Sequence, residues 1–208
     1  MPKIVDKEKK RSEIARKAME IFVSKGFQAT TIQDIADAAS MGKGTIYHYF
    51  RTKEEILMAV SIEIFLEMER SLGAALLRMD QPEERLTALI LESLKLNPDI
   101  ENLYIITMEL WLMNLRNSRH NDFMQMIKDL HRDLRTMAAK MIDMGKNKGL
   151  FDQGIDSDAL SVYLITSFDG VVFHHLLDRK SFDLEHVTSE FIRFFLRNAR
   201  PSGPGSEI

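Results

Sequence analysis

The sequence predicts an all-α chain of about nine helices, arranged as a small three-helix head followed by a larger helical body. Three observations carry that prediction. Apolar residues return every three or four positions along nearly all of the 208 residues, the period of one helix face, and no alternating β-branched run interrupts them. Helix-start signals recur, among them Thr31-x-x-Asp34 and Thr52-x-x-Glu55, each able to satisfy orphan amides at a helix start. Glycine and Asn-Pro punctuation falls between the periodic segments. Hydrophobic residues make up 45% and charged residues 28%, ordinary for a packed globular protein.

The elements follow in order. Ile14, Ala15, Ala18, Ile21 and Phe22 place a first helix over 7–25, ended by Gly26. Thr31 opens a short second helix, 32–39, with Ile32, Ile35, Ala36 and Ala39 on it. Ser40-Met41-Gly42 is the break, Met41 plugging the turn, and 43–50 forms a third helix with Ile46 and Phe50 stacked at i, i+4. Thr52 starts a fourth that runs through Ile56, Leu57, Val60, Ile64 and Met68 to about Leu77. Pro82 starts a fifth, to about Leu96. After Asn97-Pro98-Asp99 a sixth runs to about Arg116, and Asn121 caps a seventh that ends at Gly149. The last two span about 158–178 and 184–199, the latter capped by Asp183, before PSGPGSEI, residues 201–208, frays into solvent.

Two short helices across a glycine-containing turn, braced by a longer one, make the helix-turn-helix pattern, whose second helix lies in the DNA major groove. The stretch Gly42-Lys43-Gly44-Thr45 also invites comparison with a phosphate loop. A Walker-type loop requires a glycine where Asp37 stands, and a buried strand before it; neither is present. Glycines at a helix start serve DNA instead, because bare backbone N–H groups at Gly42 and Gly44 can approach a phosphate. Lys43 suits guanine, and Thr45 suits phosphate or a thymine methyl. Tyr47, His48 and Tyr49 offer rings with polar tips; Phe50 belongs inside. Charge agrees: residues 1–60 hold 11 Lys/Arg against 8 Asp/Glu, while the rest hold 17 against 23, so only the head is basic.

The run FVSKGFQATTIQDIADAASMGKGTIYHYFRTKEEIL resembles the amino-terminal signature of the TetR/AcrR family of transcriptional regulators, over about 45 residues from Ile14 to Leu57. Phe22, Gly26, Thr30-Thr31, Ile35-Ala36, Ala39, the Gly-Thr-Ile-Tyr-His-Tyr-Phe run and Lys53 carry the match. The resemblance implies a dimeric, all-helical repressor of double-stranded operator DNA with a ligand pocket in its carboxyl-terminal domain. Carried over by position, Thr31 touches phosphate, Lys43, Gly44 and Thr45 read bases, and Tyr47, His48, Tyr49 and Lys53 meet backbone or groove walls. Gly42 stands where the family usually has serine, and contributes a backbone contact only. The expected division is 1–52 for DNA binding, 53–200 for ligand binding and dimerisation, and 201–208 as a disordered tail. The Lys-rich arm, residues 3–11, is read as a solvated tail or as a segment reaching a neighbouring groove.

In the body, LYIITMELWLMNL, 103–115, is apolar at 10 of 13 positions, and seven of the 13 methionines lie between Met108 and Met144. A helix apolar nearly all round is expected to be buried on all sides. Methionine either fills gaps or re-packs around guests; with the resemblance, Tyr104, Met108, Trp111, Met137, Met141, Phe168 and Phe173 become the candidate walls of a pocket for a small apolar effector, a fatty acyl compound or hydrophobic drug. Glu109, Asp169 and His174 are ionisable groups in apolar surroundings and need partners. The last two helices are dense enough to serve a homodimer interface, with Val162, Ile165, Gly170, Phe173, Leu177, Phe191, Phe194 and Phe195 as candidates.

The alternatives are weaker. Without cysteine there is no disulfide, thiolate zinc site or thiol nucleophile. No Glu-x-x-His, His-Glu-x-x-His or Gly-x-Ser-x-Gly occurs, which disfavours a helical metal enzyme and other catalysis; no cofactor and no metal are expected. A TetR-like fold acting through a partner protein is the remaining rival. With no signal peptide and no uninterrupted run of 18 apolar residues, the expectation is a cytoplasmic protein without a membrane partner.

Overall fold

The computed structural model describes residues 2–117 and 122–201, the side chains of 2–6, 114, 116 and 117 excepted. The expected cap at Asn121, and the tail beyond Pro201, lie outside the described residues. Among those residues there are nine helices and no strand: α1 Pro2–Lys25, α2 Ile32–Ala38, α3 Lys43–Tyr49, α4 Lys53–Leu76, α5 Pro82–Ser93, α6 Pro98–Asn117, α7 Asp122–Asn147, α8 Ser157–Leu177 and α9 Leu184–Asn198. Each falls where periodicity and punctuation placed it. The largest differences in the ends are at α1, which begins at Pro2, and at α5, which stops at Ser93. Proline suits the first turn of a helix, where its missing N–H is no loss. Asn97 precedes Pro98 and so leaves the helical region; its side-chain oxygen accepts the Ile100 N–H at 3.0 Å, capping α6.

The described residues pack as two compact units, one within 1–67 and 96–127, the other within 68–95 and 128–208. Helix α6 groups with the amino-terminal helices.

In the first unit Ile14, Ala18 and Phe22 of α1, Phe27, Ile35 of α2, Ile46 of α3, Phe50, and Ile56 and Leu57 of α4 are buried. Each large side chain of this kind contributes about 1.5–3 kcal/mol when removed from water. The Phe22 and Phe27 rings meet at 5.0 Å between centroids, across the turn that Gly26 makes at φ +85°, a conformation that glycine adopts without strain. Helix α6 packs on α1 and buries Leu103, Ile106 and Leu110. It is not buried on all sides, as its composition suggested: Ile105, Leu112 and Leu115 are exposed.

In the second unit α5 packs on α9, and the buried set is Leu86, Leu89 and Ile90 of α5, Met141 and Ile142 of α7, Phe151, Leu164, Ile165 and Phe168 of α8, and Ile192 and Phe195 of α9. The chain leaves α7 through Gly149 at φ +69°. It folds back so that the N–H groups of Leu150 and Phe151 donate to Gly145 O at 2.9 and 3.2 Å, and Asp152 N–H to Ala199 O at 2.8 Å. Phe151 meets Phe195 edge-on at 6.5 Å.

Candidate nucleic-acid interface

Helix α3 has one buried side and one open one. Ile46 and the following Phe50 are inside, whereas Lys43, Gly44, Thr45, Tyr47 and His48 are exposed and Tyr49 is half-buried. Five of the residues expected at the groove therefore share one exposed surface. Its start is bare: Gly42 is the N-cap with no side-chain bond, and accepts the Thr45 N–H at 2.8 Å. A Cβ at Gly44 would meet nothing within 4 Å, so no packing demand explains that glycine. The Lys43 ammonium stands 6.0 Å from the centroid of the Tyr47 ring, and His48 and Tyr49 meet edge-on at 5.2 Å. Ahead of α3 the turn takes Ser40 through φ +54° and lets Met41 N–H donate to Ala36 O at 2.8 Å; Met41 is half-buried.

Helix α2 begins as expected. The Thr31 hydroxyl accepts the Asp34 N–H at 3.2 Å, and the Asp34 carboxylate accepts the Thr31 N–H at 2.7 Å, a reciprocal capping box. Lys25 adds an ion pair to Asp34 at 2.6 Å. The hydrogen bond from Lys25, and then those from Thr31, lower the Asp34 pKa from 3.8 to about 2. The second box is altered. Thr52 does accept the Glu55 N–H at 3.2 Å, but Glu55 reaches one residue further back, to the Arg51 N–H at 2.8 Å.

The Lys53 side chain turns back onto the protein's own backbone. Its ammonium donates to the carbonyls of Phe27, Gln28 and Thr30 at 2.7, 2.9 and 3.2 Å and sits 4.7 Å from the Phe27 ring. An ammonium has three donors, and all are engaged within the turn between α1 and α2. A DNA phosphate would have to displace one of them.

Two residues matter here that sequence reasoning missed or left open. Arg11 of α1 donates to Tyr49 O, at the carbonyl end of α3, and its guanidinium lies 4.2 Å over the Phe50 ring. A cation at a helix carboxyl end is favoured by the exposed carbonyl dipoles. Glu109 of α6 accepts the N–H groups of Phe27 and Gln28 at 2.9 and 3.1 Å, which identifies its partners. No local pattern marks either contact, since the partners stand 38 and 82 residues apart in sequence. Of the other two ionisable groups in apolar stretches, Asp169 lies 3.6 Å from His131 Nε2, and His174 is exposed beside the Phe173 ring at 5.6 Å.

The candidate pocket residues divide between the units. Tyr104, Met108 and Trp111, half-buried, belong to the first; Met137, half-buried, Met141 and Phe168, buried, and Phe173, exposed, belong to the second. The candidate interface residues divide by exposure. Val162, Gly170, Phe173, Leu177 (66%) and Phe194 (68%) are open, and Phe191 is half-buried. Ile165 and Phe195, at 2% and 7%, are packed inside their own unit and are corrected from interface to core; Phe195 lies between Phe151 and Phe191, at 6.5 and 6.3 Å. Tyr163, 76% exposed, lies on the open side of α8 and escaped the sequence reading. A Cβ at Gly170 would meet nothing within 4 Å.

A basic three-helix head with a capped α2, a tight turn and an α3 that exposes its lysine, threonine and aromatic tips is that of a helix-turn-helix DNA-binding regulator. Residues 14–60 match the bacterial regulatory proteins of the tetR family, and residues 82–199 match the carboxyl-terminal domain of BetI-type transcriptional repressors. The chain belongs to the TetR family; its members are transcriptional regulators, not enzymes. It is 25% identical over 178 residues to the HTH-type transcriptional regulator PksA of Bacillus subtilis (strain 168), covering 86% of this chain and 84% of that one. Two crystal structures share its fold at 21% identity. One is a Saccharomonospora viridis protein in complex with choline (TM-score 0.75, 90% of this chain, 95% of that one). The other is the transcriptional regulator FadR from Bacillus subtilis in complex with stearoyl-CoA (TM-score 0.72, 89% and 97%).

Proposed function

We propose that the protein is a homodimeric, cytoplasmic repressor that binds a palindromic operator and is released by a small apolar effector. The observation that carries the DNA half is the single exposed surface of α3, with Lys43, Gly44 and Thr45 as base readers and Tyr47, His48 and Tyr49 at backbone or groove walls, over buried Ile46 and Phe50. Thr31 and the backbone of Gly42 serve as phosphate contacts. Phosphate contacts fix the register of the head and base contacts choose the sequence.

The dimer reading rests on the open apolar residues of α8 and α9. Val162, Tyr163, Phe173 and Leu177 recur on α8, and Phe194 stands out from α9. Contiguous exposed apolar surface of this kind marks association, and Gly170 leaves room for a second backbone. Helix α8 is also long and apolar enough, by length and composition, to cross a membrane. Its Asp169, beside His131, favours a protein partner, because a mid-span carboxylate is expensive in lipid.

The effector half uses Tyr104, Met108 and Trp111 of the first unit, whose half-buried side chains have surface left for a guest. Thioether and aromatic side chains accommodate acyl chains and hydrophobic drugs. The fold shared with a stearoyl-CoA complex agrees with that class. Release requires the effector to prefer the DNA-incompetent state; a hundredfold preference amounts to about 2.7 kcal/mol.

The test is selection of DNA from a random pool, then binding across a salt series with stearoyl-CoA or choline added, beside sedimentation of wild type and Leu177→Glu. A palindromic consensus bound by a dimer, lost with Leu177→Glu and weakened by stearoyl-CoA, is the expected result. Weakening by choline alone would move the effector class to quaternary ammonium compounds. Absence of any selected sequence would leave a regulator acting through a partner protein.

A further inference from the structure

The turn between α1 and α2, residues 26–30, is held from both sides. Gly26 O accepts both the N–H and the hydroxyl of Thr30, at 3.2 and 2.7 Å. Lys53 gathers the carbonyls of Phe27, Gln28 and Thr30, while Glu109 gathers the amides of Phe27 and Gln28. A cation on the carbonyls and an anion on the amides fix the peptide planes as neither could alone, and charge-assisted bonds of this kind are the stronger ones. Gly26 is required by its φ of +85° and not by the carboxylate, which a Cβ there would meet only in ordinary van der Waals contact, at 3.7 Å.

Lys53 belongs to α4, directly after the helix-turn-helix, whereas Glu109 is brought by α6, 82 residues beyond Phe27 of the turn. Directly after the held turn comes Thr31, the cap of α2.

We infer that Glu109 is a positioning residue for DNA binding: it sets the α1–α2 turn, and through it the Thr31 end of α2, against the operator phosphates. The inference rests on the DNA-binding reading above and adds to it a residue outside the helix-turn-helix. A shift of α6 by about 1 Å away from the turn would lengthen both bonds beyond hydrogen-bonding range. Whatever displaces α6 is thus registered at the end of α2, while the face of α3 stays supported by Ile46, Phe50 and Arg11.

The test uses the full chain as Glu109→Ala and the isosteric Glu109→Gln, the latter covering the case in which the alanine variant fails to fold. Amide exchange at Phe27 and Gln28 and operator affinity across a salt series are both measured. In wild type the two amides are protected. In Glu109→Ala they exchange freely and affinity falls roughly ten-fold, with the log–log salt slope near its wild-type value because the Thr31 contact carries no cationic charge. Glu109→Gln, with one acceptor oxygen left, falls between. A residue that merely stabilised the fold would lower the melting temperature and leave the operator affinity of the folded protein at its wild-type value; that outcome, or unchanged protection of the two amides, overturns the inference. If wild type itself selects no DNA, the DNA-binding reading fails separately, and the positioning of α2 against phosphate falls with it even where the amides respond.

Discussion

Gly145 and Gly73 are both helical glycines, and replacing each with alanine should move stability in opposite directions. At Gly145, in the last turn of α7, a Cβ would stand 2.5 Å from Cε2 and 2.8 Å from Cγ of Phe151, and closer still to Cδ2. Carbon atoms pack comfortably at about 3.5–4.0 Å, so the ring would have to retreat by more than 1 Å. It has nowhere to go. Phe151 is fully buried, its own N–H and that of Leu150 are tied to Gly145 O, and Asp152 N–H is tied to Ala199 O. Overpacking of this severity costs about 3 kcal/mol, offset by up to about 1 kcal/mol of helix propensity gained on leaving glycine. The net is roughly 2 kcal/mol of destabilisation. At Gly73 in α4 a Cβ would meet nothing within 4 Å, so Gly73→Ala should stabilise by roughly 0.5–1 kcal/mol. In a chain of this size each kcal/mol moves the midpoint about 2–4 °C. Thermal unfolding followed by circular dichroism should therefore place Gly145→Ala about 4–8 °C below wild type, with Gly73→Ala slightly above it. Phe151→Leu in the Gly145→Ala background should recover part of the loss. Melting of Gly145→Ala at or above wild type would refute the reasoning, since it would mean that the Phe151 ring is not locked.

Two other outcomes are expected. The Asp34 carboxyl should titrate near 2 rather than 3.8: the carboxylate is favoured in the fold, so its contribution to capping α2 is complete above the ordinary value and is lost as pH falls through the lower one. Lys25→Met should return the titration, followed by carboxyl carbon NMR, toward the ordinary value, and a titration that did not move would remove Lys25 as the main cause. Arg11→Ala should cost about 1–2 kcal/mol through loss of the Tyr49 carbonyl bond and the Phe50 ring stacking. Denaturant unfolding checks it. Because the bond removed is at α3, DNA affinity should fall further than with Lys17→Ala on the same helix, where the lysine pairs with the neighbouring Glu20.

What could be read from the sequence, and what could not, follows the distance over which each feature is determined. Helix placement is local, fixed by periods of three to four residues and by caps such as Thr31 with Asp34, and all nine elements lay where those signals put them. The exposed surface of α3 was legible for the same reason, since Ile46 and Phe50 at i, i+4 orient the rest. The backbone bonds of Lys53 were not legible, because a lysine at a helix start beside a DNA-binding motif looks the same whether it meets phosphates or its own backbone carbonyls. Ile165 and Phe195 were misplaced because α8 carries apolar residues on nearly every side, and α9 clusters its aromatic residues, so pattern alone does not say which of them face inward. Glu109 could be recognised as needing partners, but those partners are two backbone amides far away in sequence, and amides carry no signature in residue type.

The grouping of α6 with the amino-terminal helices bears on how members of such a family can be recombined. A chimera cut at the end of α3 would transplant the DNA-reading surface without Glu109, leaving the Phe27 and Gln28 amides to whatever the recipient happens to offer; for the part-buried Phe27 amide, lack of an acceptor costs up to about 1–3 kcal/mol. The portable unit is a discontinuous one, the first 67 residues together with 96–127. A helix of the carboxyl-terminal region is therefore part of the inheritance of the DNA-binding head, and a graft that respects the order of the chain but not this pairing exchanges the reading surface without the support that aims it.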